Sequence, residues 1–290
     1  MIRYTHDEID IIRNRNIQID VSQDILERIN SIVTQVGSPT YIRTPMFTKK
    51  KRNKSYETMV IPNKPEKTFV QKILEILNKL NNSTYDVMKP KLIDIINSYK
   101  SNNNHSEIVS KIYELVSFQS FNIELYGVLF KDLVILFPEL KELCLQEFNN
   151  YIPNFININC TGSDNYDLFC EYNEKNDSIR CLSRFYVELY KHELLDLQSI
   201  TTLIKNIQNN LLEKIKLTDN DPNESPCVEY TENIYTLIIG TSKELINSSQ
   251  WNDIYNTLIE VKSLDRKIYK NMNSKIKFKH MDILDFIKKI

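Results

Sequence analysis

The chain has 290 residues, with Lys+Arg 37 against Asp+Glu 38, so no overall charge draws it to nucleic acid or to an anionic membrane. Its 41% hydrophobic content is enough for a sizeable core, whereas Gly 4 is too low for sandwiches, barrels or phosphate-cradling α/β folds, which need glycine in their turns and loops. Cys144, Cys160, Cys170, Cys181 and Cys227 are odd in number and form no CxxC pair, which points away from a disulfide framework or zinc site and toward a reducing, cytoplasmic setting.

The chain opens MIRYTHDEIDIIRNR. Thr5 can cap a short helix there, Asp7 and Glu8 suit its first turn, and Tyr4, Ile9 and Ile12 can reach one side. An isolated helix of that length is marginal in water. The opening is therefore either a frayed end or a segment that folds on a partner. From Gln18 to Lys67 no periodicity is sustained: ILERINSIV predicts a helical turn or two, the basic run KKKRNK follows, and Pro39, Pro45, Pro62 and Pro65 break any longer helix. Residues 17–65 read as a largely extended linker, with 1–16 as a separate recognition segment.

From residue 66 to 290 the character changes. TFVQKILEILNKL places Phe69, Ile73, Ile76, Leu77 and Leu80 at helical spacing. YDVMKPKLIDIINSYK, HSEIVSKIYELVSF and IELYGVLFKDLVILF follow, and Pro138 stands where it can open PELKELCLQEFNNY. Residues 152–175 read as an irregular polar insertion. IRCLSRFYVELYKHELL, SITTLIKNIQNNLLEKI, ENIYTLIIGTSKELI, WNDIYNTLIEVKSLDRKIYKNM and IKFKHMDILDFIKKI complete the chain, about ten amphipathic helices with no strand ladder. Cys144 and Cys181 fall within apolar helical patterns and read as core. Helices in antiparallel pairs joined by short polar turns predict an all-α solenoid, with a compact irregular helical domain as the alternative.

KILEILNKLNNSTYDVMKPKLIDI, with its Ile76-Leu77-Asn78-Lys79-Leu80 run, resembles the opening of the middle domain of the translation initiation factor 4G family, the scaffold of the cap-binding complex. FQSFNIELYGVLFKDL, with Phe121 ahead of a helix carrying Tyr126, LKELCLQEFNNY, RCLSRFYVELYKHELLDLQSI, GTSKELI and SKIKFKHMDILDF are similar to later segments of that domain, in the same order. The resemblance spans roughly residues 66–290. It implies a crescent of about five HEAT-like helix pairs, ending with the fifth repeat, in a compact form suited to a protist or a large DNA virus.

The same resemblance implies partners. The family carries a Tyr-x-x-x-x-Leu-apolar segment that docks on a cap-binding translation initiation factor, and Arg3, Tyr4 and Ile9 match it. Ile9 replaces the usual leucine and Asp10 stands where an apolar residue is expected, which leaves Ile11 or Ile12 to supply the contact. YIRTPMF, with Tyr41, Met46 and Phe47, is a second match interrupted by Pro45. The family's middle domain holds both lobes of a DEAD-box RNA helicase, one on the first repeats and one on the last. The matching positions are Asn78, Lys79, Asn81 and Asn82 near the first turn, and Arg266, Lys275 and Lys277 beside the final helices.

Lys49, Lys50, Lys51, Arg52 and Lys54 are a candidate contact to mRNA phosphates, flanked by Tyr41, Phe47 and Tyr56, or else a solvated linker. The expectation is a scaffold rather than an enzyme. His6, His105, His192 and His280 are scattered, and neither HExxH, P-loop, GxSxG nor kinase signatures occur. Glu188 and His192 read as a surface ion pair at helical spacing. No cofactor is called for, and no apolar run suits a membrane. A helicase-sequestering decoy, or an adaptor of RNA decay or of nuclear cap binding, would share the helical domain without needing the Tyr4 segment.

Overall fold

A computed structural model describes residues 22–35, 67–99, 102–118, 121–162, 164–217 and 225–290. The chain divides into two units, Met1–Lys64 and Pro65–Ile290. In the first, the described residues form one helix, α1 (Gln23–Gln35), steadied by an exposed Arg28–Asp24 pair one turn apart. The linker is thus not extended throughout: the two turns expected at ILERINSIV are a helix of 13 residues. Ile25, Leu26, Ile29 and Ile32 recur along it and are exposed.

The second unit is all-helical: α2 (Phe69–Leu77), α3 (Tyr85–Ser98), α4 (Asn102–Phe118), α5 (Ile123–Leu136), α6 (Leu140–Ile156), α7 (Tyr166–Lys191), α8 (Leu197–Lys216), α9 (Cys227–Leu245), α10 (Trp251–Ser263) and α11 (Ser274–Ile287), with no strand among the described residues. Four helix starts, those of α2, α7, α8 and α11, are set by side-chain oxygens that take up orphan N–H groups. Thr68 and Gln71 form a reciprocal capping box on α2. Asn165 accepts from Leu168 N, Asp196 from Ser199 N at 2.7 Å, and Asn273 from Ile276 N at 3.0 Å.

Two expectations change here. The irregular insertion placed at 152–175 shrinks to 157–165, because α6 continues to Ile156 and α7 begins at Tyr166. Pro153 is accommodated in the last turn of α6, and the first ten residues of α7, YDLFCEYNEK, mix polar and apolar side chains on a part of the helix that is largely exposed. Pro138 lies in the turn before α6 rather than at its first position.

Packing is mostly between helices near one another in the chain. α2 packs on α3 and α4; α4 on α5, α6 and α7; α5 on α6 and α7; α6 on α8; α7 on α8 and α9; α8 on α9 and α10; α9 on α11; and α10 on α11. Tyr85 hydroxyl and Lys89 ammonium of α3 both reach the Asp132 carboxylate of α5, at 2.8 and 2.7 Å. One continuous core runs from Phe69 to Leu284, centred on an aromatic group in which Tyr186 lies 4.8 Å from Phe148 and 5.5 Å from Phe155, and Phe185 meets Tyr113 edge-on at 5.3 Å. Cys144 and Cys181 are buried, and all five cysteines are free thiols.

Polar side chains stitch consecutive pairs together by satisfying the carbonyls that helix ends leave unpaired. Tyr126 of α5 donates to Leu77 O at the end of α2 (3.0 Å), Tyr230 of α9 to Ile156 O at the end of α6 (2.5 Å), and Asn271 to Lys214 O and Leu217 O at the end of α8 (2.8 and 3.2 Å). Burial pushes the Tyr126 hydroxyl up to about 12, so it donates at any working pH. Because Leu77 O also accepts from Leu80 N at 3.1 Å, Tyr126→Phe is expected to cost only about 1 kcal/mol in a urea unfolding curve. A loss several times larger would mean that the hydroxyl holds more than this carbonyl.

Candidate functional site

The positions matched to a helicase contact fall into two groups, one on the first helix pair and one on the last. In the first, Asn78 caps α2 and its N–H bonds to Leu74 O and Ile76 O. Asn81 organises the turn into α3: its side-chain oxygen accepts from Ser83 N (2.9 Å), Ser83 Oγ (2.6 Å) and Thr84 N (3.1 Å), while Thr84 Oγ1 donates to Lys79 O (2.6 Å). Asn122 Nδ2 also reaches Leu80 O at 3.4 Å from the N-cap position of α5. The amide oxygen of Asn81 is therefore committed to the fold although the residue is exposed, as are Asn78, Lys79, Asn82 and Ser83.

In the second group Arg266, on the turn after α10, bonds through Nη1 to Ser274 Oγ at the start of α11. Lys275 and Lys279 both grip Glu232 of α9, at 3.4 and 3.0 Å, and the Lys279 ammonium stands 4.0 Å from the Tyr235 ring centroid. Burial pushes the Glu232 carboxyl up, but Lys279 and Lys275 together outweigh it and hold it below the usual carboxylate range. Lys275 thus fastens α11 to α9, while Arg266 is exposed and Lys277 half-buried.

Arg3, Tyr4, Ile9, Ile11 and Ile12, the second candidate at Tyr41, Met46 and Phe47, and the basic run Lys49, Lys50, Lys51, Arg52 and Lys54 lie outside the described residues. The Glu188–His192 ion pair is not formed. Glu188 pairs with Lys191 at 2.7 Å, and the His192 backbone N–H bonds to Glu188 O at 3.1 Å and to Tyr190 O. His105 instead meets Glu139 at 3.1 Å, and His280 is buried with Nδ1 against Ile276 O at 2.9 Å.

Three features escaped the reading of individual motifs. Phe121 is 97% exposed and Phe118 66% exposed at the two ends of the α4–α5 connection. A groove of about 830 Å³ runs between α6, the α7–α8 turn, α9 and the end of α11, with Leu145, Tyr190, Ile239 and Phe286 along it and Lys141, Lys191 and Lys243 at its edges. Its Asp196 is already engaged by Ser199 N as the cap of α8, which holds that carboxyl below its usual range. Between Lys262 and Lys279 the chain also carries seven cations against a single acid, Asp265, a density visible only when the motifs on either side of the α10–α11 turn are counted together.

Among the described residues no group of three or more His, Cys, Asp and Glu is placed to hold a metal ion, and no helix is long and apolar enough to cross a membrane. Among the described residues the surface offers polar turns, several grooves and a local excess of positive charge. Compared with protein-family models and with curated proteins, the chain matches none.

Proposed function

We propose that this protein is a translation-initiation scaffold, holding a cap-binding protein through the segment around Tyr4 and a DEAD-box RNA helicase through its helical unit. The observation that carries the reading is the packing scheme of that unit. Most helices meet the next or the next but one, α3 reaching α5 through Tyr85 and Lys89, while α4 also packs on α7, and α6 and α7 are joined mainly through α4, α5 and α8. This near-neighbour packing supports a stack of about five HEAT-like pairs, of which α2–α3, α4–α5, α8–α9 and α10–α11 pack directly, each pair burying a stripe its own two helices leave bare. Such a stack presents its turns as separate docking points.

In this scheme one helicase lobe rests on the α2–α3 turn, through Lys79 and Asn82, and the other on the α10–α11 end. Holding both lobes raises the population of the nearly closed helicase, which speeds its cycle without any catalytic group from the scaffold. The cap-binding protein takes Tyr4 and Ile9 as anchors, with Ile11 or Ile12 completing the apolar contact. Lys49–Lys54 would touch mRNA between the two partners, and the assembly would work in the cytoplasm.

A pull-down from the source cells with the intact chain and a Tyr4→Ala/Ile9→Ala variant tests this directly. The intact chain is expected to bring down both partners. The variant is expected to lose the cap-binding protein by about tenfold or more, as truncation of interface anchors does, and to keep the helicase. Helicase without any cap-binding protein in either sample would leave a decoy or a decay adaptor as the better reading. Neither partner in either sample would sink the scaffold altogether.

A further inference from the structure

We infer that the α10–α11 end of the molecule is a binding surface for single-stranded nucleic acid, with Lys267, Lys270 and Lys277 holding phosphates and Phe278 stacking on a base. The chain as a whole has a formal net charge of -1, yet seven cations and one acid fall between Lys262 and Lys279. Two of the seven, Lys275 and Lys279, are spent on Glu232. Lys262, Lys267, Lys270 and Lys277 make no ion pair among the described residues, and Lys267 and Lys270 are exposed. The Arg266–Ser274 bond keeps the cationic turn against the first residues of α11. Lys277 therefore lies one turn along α11 from that cluster.

Phe278 is 61% exposed and flanked directly by Lys277 and Lys279. A bare ring beside the unpaired Lys277, on the helix that the cationic turn leads into, is what sequence-tolerant binding of a single strand uses: a charged track for the backbone and a face for the bases. An acidic protein partner fits less well, because the centres of protein interfaces are poor in lysine. The surface takes in Arg266, Lys275 and Lys277, the positions matched above to a helicase contact. The inference does not rest on the scaffold reading.

Fluorescence anisotropy of the full chain with a labelled oligouridylate of about 20 nucleotides, at salt from about 50 to 200 mM, tests it. Wild type is expected to bind saturably. Lys267→Glu/Lys270→Glu/Lys277→Glu is expected to bind at least about tenfold more weakly and to flatten the logarithmic salt dependence by about 2, from three lost phosphate contacts on a single strand. Phe278→Ala is expected to weaken binding about fivefold or more with the salt slope unchanged. The corresponding glutamine triple variant, checked by circular dichroism, separates lost contacts from lost folding. The inference is overturned if wild type shows no saturable binding at the lowest salt. It is equally overturned if a folded triple variant binds like wild type, or if polyglutamate displaces the probe as well as unlabelled RNA does. A loss confined to serine replacements of Lys49–Lys54 would move the nucleic acid to the other unit and overturn it too.

Discussion

Replacing Gly240 with alanine is expected to lower the stability of the helical unit by about 2–3 kcal/mol, at the upper end of what overpacking a core costs. Gly240 lies within α9 against α7, and a Cβ there would sit 2.4 and 2.6 Å from the two methyl carbons of Val187 and 3.0 Å from its Cβ. Valine in a helix has one favoured rotamer, so its methyl groups cannot swing aside. The backbones of α7 and α9 must part, and both are held by other helices, α9 by α8 and α11 and α7 by α4 and α5. Removing a glycine from a helix returns about 1 kcal/mol of backbone entropy, which this clash exceeds. For a domain of this size the midpoint should fall by roughly 4–10 °C. Adding Val187→Ala should recover at least about 1 kcal/mol relative to the sum of the two single changes, since the residues touch. Gly162→Ala is the control: nothing lies within 4 Å of its added Cβ, and its effect should stay within about 0.5 kcal/mol. Urea unfolding of the five proteins, the Val187→Ala single variant included, decides the matter, and a Gly240→Ala chain as stable as wild type would disprove the close approach.

That contact also marks where the sequence stops being readable. The low glycine content excluded several fold classes, but nothing in GVLF or IIGT says that Gly127 and Gly240 sit where added side chains would collide with Glu188 and Val187 on α7. The helices themselves were legible because burial follows a period near 3.6: Phe69, Ile73, Ile76, Leu77 and Leu80 were placed on one face by spacing and are all buried. Where burial is one-sided and shallow the period fades. This is why the first part of α7 read as an irregular insertion, although Asn165 followed by Asp167 is a fair helix start.

The candidate sites divide in the same way. Asn81 matched a motif as a contact residue, yet its oxygen is consumed by its own turn, an Asx arrangement that any polar turn can adopt. Lys275 is likewise an internal clamp as much as a surface charge. Lys267 and Lys270 drew no notice because no motif contains them. Their significance comes from three-dimensional proximity to the start of α11, through the Arg266–Ser274 bond. Residues that bind partners and residues that make turns share one composition on a helical stack, and only the hydrogen bonds tell them apart.

Acid should expose a second dependence of stability, carried by His280. Its side chain is fully buried in α11, with Nδ1 on Ile276 O at 2.9 Å and Nε2 without a hydrogen-bond partner. Burial pushes the imidazole down from 6.5 to about 4, against a smaller upward pull from the Ile276 carbonyl. Between those values the unfolded chain binds the proton and the folded chain does not. Unfolding free energy therefore falls as pH drops from 6.5, by about 3 kcal/mol once pH 4 is passed. The native carboxylates held low by their partners, Asp132 by Lys89 and Tyr85 against the cost of burial and Asp196 by Ser199, lose their contribution only as pH falls through their own depressed values. Most of their loss lies below the His280 window. His280→Asn keeps an N–H for Ile276 O and cannot titrate. Its unfolding free energy will start lower at neutral pH because it leaves space in the core, but it should change little from pH 6.5 to 4.5, while wild type loses about 2 kcal/mol over the same range. Parallel urea titrations at several pH values distinguish the two. Identical slopes would show that α11 loosens in acid for some reason other than the proton on His280.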